Sequence, residues 1–146
     1  FAEYRIIDGL KFRAYKENEN FKGITKNLPK DFNFVRYDSV WKYRITPEES
    51  NEINIDIFAY CSSGRINASI TDESYSIICE IKNRDTKKFT TEEVKEFIEK
   101  VKKIKEKEGL KRVVGFIFSR TGFTKEAEEY CIGNKLCYSS DERWIE

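Results

Sequence analysis

The chain has 146 residues, a net charge of +1, four cysteines and no histidine. Hydrophobic residues make up 39% and aromatics 14%, enough for a real core, so global disorder is excluded as a reading and one compact domain spanning 1–146 is expected. The missing histidine and the lack of any CxxC spacing among Cys61, Cys79, Cys131 and Cys137 argue against a His-based triad and a zinc finger.

The elements are taken in chain order. Residues 1–14 place Tyr4, Ile7, Leu10 and Ala14 on one face, which predicts a helix despite Gly9. Residues 16–31 are polar, with Gly23 and Pro29, and are expected to be loop. The aromatic, β-rich run 32–45 predicts a long strand or a hairpin, and 46–52 a turn. "INIDIFAYC" (53–61) alternates, so Ile53, Ile55, Ile57 and Ala59 are expected on one face and Asn54, Asp56, Phe58 and Tyr60 on the other. Residues 62–74 suit a loop with room for a short edge strand. "YSIICEIKN" (75–83) predicts a strand with Ile77, Cys79 and Ile81 on one face and Ile78, Glu80 and Lys82 on the other.

Thr90 and Glu93 then form a capping box ahead of Val94, Phe97, Ile98, Val101 and Ile104 at helical spacing, with Gly109 as the stop. "RVVGFIFS" (112–119) is a continuous apolar run, as in a central strand buried on both faces. Thr124 caps a second helix ended by Gly133, and 135–139 is a last short strand. The order αβββαβαβ gives an α/β fold with a mixed sheet flanked by helices, in which strands 75–83 and 112–119 run parallel.

The chemistry concentrates in Asp56, Glu80 and Lys82. Glu80 and Lys82 share a face because side chains two apart on a strand point the same way, and pairing of the two consecutive strands would bring Asp56 to them. A buried carboxylate is costly unless it is paired or holds a metal. Two carboxylates without imidazole or thiolate partners suit a hard cation, Mg²⁺ or Mn²⁺, and an adjacent lysine suits developing phosphate charge. The bland alternative is a strand whose polar face meets water.

An Asp followed by Glu-x-Lys on the next strand and an α/β crossover resembles the PD-(D/E)xK superfamily of restriction-endonuclease-like nucleases. Here the motif reads "NIDIF" (54–58) and "CEIKN" (79–83), and "GFIFSRTGFTKEAEEYC" (115–131) resembles its Mrr-type branch. The resemblance spans roughly residues 1–140, though its specific motif is three residues. It implies a restriction-endonuclease-like fold and a metal-dependent endonuclease acting on DNA. Asp56 and Glu80 would hold Mg²⁺ or Mn²⁺, the Ile81 backbone carbonyl would add a ligand, and Lys82 would act on the attacking water. Glu3 would match the further acidic residue of the preceding helix. Ile55 stands where the motif has its proline, and the 24-position gap from Asp56 to Glu80 encloses Asp72 and Glu73, which stay open as the metal partner.

Residues 82–112 carry twelve Lys/Arg against seven Asp/Glu, a net basic stretch that begins at the motif lysine. Asn83, Arg84, Lys87, Lys88 and Arg120 are candidate phosphate contacts, each weighed against an ordinary solvated side chain. Ser119, Arg120 and Thr121 lie at a strand's carboxyl end before a helix N-terminus, where anions are favoured. The alternative function is a catalytically silent nuclease-fold module, binding nucleic acid or protein within a larger ATP-using protein. No stretch approaches the roughly eighteen apolar residues of a membrane span, and the residues given show no signal-peptide pattern, so no membrane partner and a cytoplasmic setting are expected. The chain begins at Phe1 and has no Met, so a fragment of a longer protein is expected. A homodimer and a fused or associated ATPase domain stay open as partners.

Overall fold

The computed structural model describes residues 5–7, 10, 18–32, 39–45, 53–60, 75–110 and 112–145. Its elements are a short helix α1 (Asn18–Gly23), strands β1 (Ser39–Ile45), β2 (Ile53–Tyr60) and β3 (Ser76–Lys82), helix α2 (Thr91–Glu108), strand β4 (Val113–Ser119), helix α3 (Lys125–Gly133), strand β5 (Cys137–Ser139) and a closing 3₁₀ turn, Glu142–Ile145. The strands form one sheet in the order β1-β2-β3-β4-β5. The first two neighbouring pairs are antiparallel and the last two parallel, so the sheet is mixed.

Helices cover the sheet from both sides. Ile78 and Ile117 face Val94, Phe97 and Ile104 of α2 and Ala127 and Cys131 of α3. Ile77, Cys79, Ile81, Phe116 and Phe118 face the other way, onto Ile6, Leu10, Phe21, Phe32 and Trp144. β4 therefore buries side chains on both faces, as its unbroken apolar run requires. The parallel β3–β4 pair aligns Glu80 with Ile117 and Lys82 with Ser119.

Local signals account for the helix ends. The Thr90 side chain accepts from the Glu93 amide while the Glu93 carboxylate accepts from the Thr90 amide, and Gly109 closes α2 in the left-handed region at φ 62°. Thr124 caps α3 by accepting from the Ala127 amide.

Several expectations are corrected. Residues 18–23, expected as loop, are helical because Phe21 anchors a single turn in the core, with Glu19 and Lys22 placed to suit the helix dipole. Near the N-terminus residues 5–7 are helical, and Ile6, four positions before Leu10, is the buried residue, whereas Ile7 is half-exposed. α3, by contrast, ends at Gly133 as expected, with Asn134 as its cap and the positive φ on Lys135. Tyr4, Ala14, the run 33–38, the turn 46–52 and the loop 62–74 lie outside the described residues. Among the described residues no helix is long and apolar enough to cross a membrane.

Gly115 sits where β4 passes beneath α2. A Cβ there would stand 2.8 Å from Leu136 Cδ2 and 2.9 Å from Phe97 Cε2, two buried side chains with little room to retreat. Gly115→Ala should lower stability by about 1–3 kcal/mol through overpacking. Denaturant unfolding checks this; an unchanged midpoint would mean that the α2–β4 contact is looser than the geometry shows.

Candidate active site

β2 does not alternate as its sequence suggests. Opposite β1, Trp41 pairs with Phe58 and Tyr43 with Ile55, so two steps on β1 (43 − 41) match three on β2 (58 − 55). β2 thus carries one extra residue, a bulge between Ile55 and Phe58. Its effect is visible in the core: Ile55 packs on the α2 side while Ile57 packs on the opposite side. The expectation that Ile55 and Ile57 share a face is overturned, because a bulge shifts the two-residue period by one.

Asp56 lies inside that bulge. The antiparallel register with β3 runs Ala59↔Ile77, Phe58↔Ile78, Ile57↔Cys79, so Asp56 lies one residue past its last pair, at the Glu80 end of β3. One Asp56 carboxylate oxygen accepts a hydrogen bond from the Ile81 amide at 2.8 Å. The β2–β3 backbone ladder has ended by this point, and the carboxylate supplies the acceptor that a ladder carbonyl would otherwise provide. A residue in an extended strand directs its N–H and C=O to the same side, so the Ile81 carbonyl faces the edge where Asp56 sits.

Glu80 is the most buried acidic group of the site, with 7% of its surface exposed. It lies on the α2 side of β3 with Ile78, and Lys100 Nζ of α2 approaches its Oε1 at 3.3 Å. Burial drives its pKa above the ordinary carboxylate value, Lys100 and then Lys82 work against that, and the Asp56 charge adds to it. Lys82 is half-buried on the same face as Glu80, and among the described residues its ammonium makes no ion pair.

Sequence reasoning therefore brings together Asp56, Glu80, Ile81 and Lys82, and it missed Lys100. A signal for Lys100 existed: it stands three residues after Phe97 and four before Ile104, at the edge of the apolar stripe. Among the described residues no group of three or more acidic, thiol or imidazole side chains that could hold a metal ion is gathered. Glu3, Asp72 and Glu73 lie outside the described residues.

The candidate phosphate contacts divide. Arg84 is spent on a two-pronged pair with Glu93, at 2.9 and 3.1 Å, and on the Lys88 carbonyl. Arg120 bonds the Arg84 carbonyl and Asp85. The Ser119 hydroxyl donates to Gly122 O and the Thr121 hydroxyl to Lys87 O. These groups knit the β3–α2 and β4–α3 connections together, beside the Phe89–Gly122 and Phe89–Thr124 backbone bonds, which is the plain structural role for Ser119, Arg120 and Thr121. Asn83, Lys87 and Lys88 remain exposed, and Asn83 lines a shallow hollow with Arg120, Asp85 and Glu142, in which Arg120 is already paired with Asp85.

Comparison with known proteins finds no matching family model, no similar curated protein and no similar solved structure.

The raised pKa of Glu80 has a signed consequence. Between the unfolded value of about 4.5 and the higher folded value, the native state binds more protons than the unfolded chain, so stability falls as pH rises through that window. In chelator, Glu80→Gln removes this dependence, and its stability relative to wild type should rise from about pH 4 to about pH 7. Urea melts across that range check it; a difference that stays flat or shrinks would contradict the burial of Glu80.

Proposed function

We propose that this chain is a restriction-endonuclease-like, metal-dependent endonuclease domain that hydrolyses DNA phosphodiesters. The observation that carries the reading is the Asp56 carboxylate seated on the Ile81 amide beside the buried Glu80 carboxylate, with Lys82 on the same face. The element order αβββαβαβ and the parallel β3–β4 crossover agree with the fold that the PD-(D/E)xK resemblance implies.

The residues fit a hard divalent cation. Two close carboxylates, one of them deeply buried, repel each other unless positive charge lies between them. Mg²⁺ characteristically takes one or two carboxylates and completes its shell with water and substrate phosphate, so Asp56, Glu80 and the Ile81 carbonyl are a sufficient protein share. When bound, the cation would polarise the phosphoryl oxygen and acidify an attacking water. Asp56 and Glu80 fix the site relative to β3. The Lys82 ammonium orients the water and meets the charge that grows on phosphorus as the leaving P–O bond lengthens. Lys87 and Lys88, exposed beyond the strand, supply positive charge along the DNA backbone. A cytoplasmic setting belongs to the same reading.

A second reading has an observation of its own. Lys100 already gives Glu80 a cation, and Arg84 and Arg120 are held in internal pairs, as suits a catalytically silent nuclease-fold module that binds nucleic acid or protein within a larger ATP-using assembly.

Incubation with plasmid and linear duplex DNA separates the two. The nuclease reading expects Mg²⁺- or Mn²⁺-dependent cleavage that falls by about a hundredfold or more in Glu80→Ala and Lys82→Ala, with folding retained. Cleavage that persists in Glu80→Ala overturns the assignment. Salt-sensitive DNA binding without metal dependence or cleavage selects the silent module.

A further inference from the structure

The Glu80–Lys100 pair is unlike the other buried-side ion pair of this region. Arg84 grips Glu93 through two nitrogens, at 2.9 and 3.1 Å, a geometry that fixes both partners. Lys100 meets Glu80 through one nitrogen at 3.3 Å, longer than the roughly 2.7–2.9 Å of a tight charge-assisted bond. The Lys100 side chain is 32% exposed, whereas that of Glu80 is 9% exposed, so the ammonium has solvent to withdraw into and the carboxylate has none. Lysine carries its charge on a flexible four-carbon stem, which makes such a withdrawal inexpensive. Lys82, closer in sequence and on the same strand face, forms no ion pair with Glu80.

We propose that Lys100 is a displaceable counter-cation: it neutralises Glu80 while the site is metal-free and gives up that carboxylate when a divalent cation enters beside Asp56. The inference rests on the metal-site reading above and adds a residue from α2 that the strand motif does not contain. Its logic is charge conservation in a buried place. The buried Glu80 carboxylate needs a cation, and the protein carries one on a tether at the edge of the α2 stripe, weakly enough held to be exchanged. Metal binding is thereby a competition between Lys100 and the ion. The lysine is a positioning residue that sets how much cation the site requires.

The test uses Mn²⁺ as the probe, with calorimetric titration and thermal melts of wild type, Lys100→Met, Glu80→Gln and the double variant. Lys100→Met keeps the stem and removes the charge. In chelator it should melt below wild type. Mn²⁺ should bind it several-fold more tightly than wild type and raise its melting temperature by more than it raises that of wild type. Glu80→Gln and the double variant should show neither effect. Mn²⁺ binding to Lys100→Met equal to or weaker than wild type, with binding still lost in Glu80→Gln, overturns the counter-cation and leaves the metal site standing. Equal binding by wild type and Glu80→Gln, or none by any variant, overturns both. Lys100→Arg provides the opposite sign and covers a Lys100→Met that does not fold: a two-pronged grip on Glu80 should weaken Mn²⁺ binding several-fold, and unchanged or tighter binding overturns the proposal.

Discussion

At the centre of the sheet a carboxylate stands in for a backbone carbonyl. β2 carries a bulge against β1 at Asp56, and just past the last β2–β3 backbone pair the Asp56 carboxylate accepts the Ile81 amide. A buried amide without a partner is costly, so this one hydrogen bond holds the end of β2 against β3 and fixes the Asp56 side chain at the same time. The rest of the site follows. Asp56, one residue past the last β2–β3 pair, acts on the charge of Glu80, the two-residue period puts Lys82 on the Glu80 face, and α2, locked at its start by the Thr90–Glu93 box, brings Lys100 to Glu80.

The second constraint is charge. Glu80 is buried on the α2 side of the sheet, with Lys100 of α2 as its partner, where a lone carboxylate would be expelled or protonated. Its raised pKa records that tension, and Lys100 and Lys82 reduce it without removing it. A fold seeking stability alone would place an apolar side chain there. Retaining an acid at such a position, beside Lys100 and near Asp56 and Lys82, is the feature on which the proposed metal site rests.

What was legible in the sequence was local. The capping box of α2, the Gly109 stop and the apolar run of β4 each announce themselves within a few residues, and the structure places them as expected. The Glu80–Lys82 face was equally plain, because β3 keeps a regular period. The bulge was not. "INIDI" alternates well by itself, and the extra residue exists only through pairing with β1 across the chain. Lys100 was hidden among the many lysines of α2, and only its place beside the stripe of Phe97 and Ile104 sets it apart. The arginines misled as well: Arg84 meets Glu93 nine residues on, as the β3–α2 connection folds back, and Arg120 meets Asp85 where the β3–α2 and β4–α3 connections pack together. α1 escaped notice because a single buried aromatic, Phe21, secures a turn that is otherwise polar.

The central claim is that the bulge brings Asp56 and Glu80 together around one cation position at Ile81. The most direct measurement is amide NMR with substoichiometric Mn²⁺, whose unpaired electrons broaden nearby resonances. The account predicts that the Asp56, Glu80 and Ile81 amides broaden first, and that Asp56→Asn or Glu80→Gln abolishes the effect. Broadening centred elsewhere, or unchanged in both variants, would contradict it.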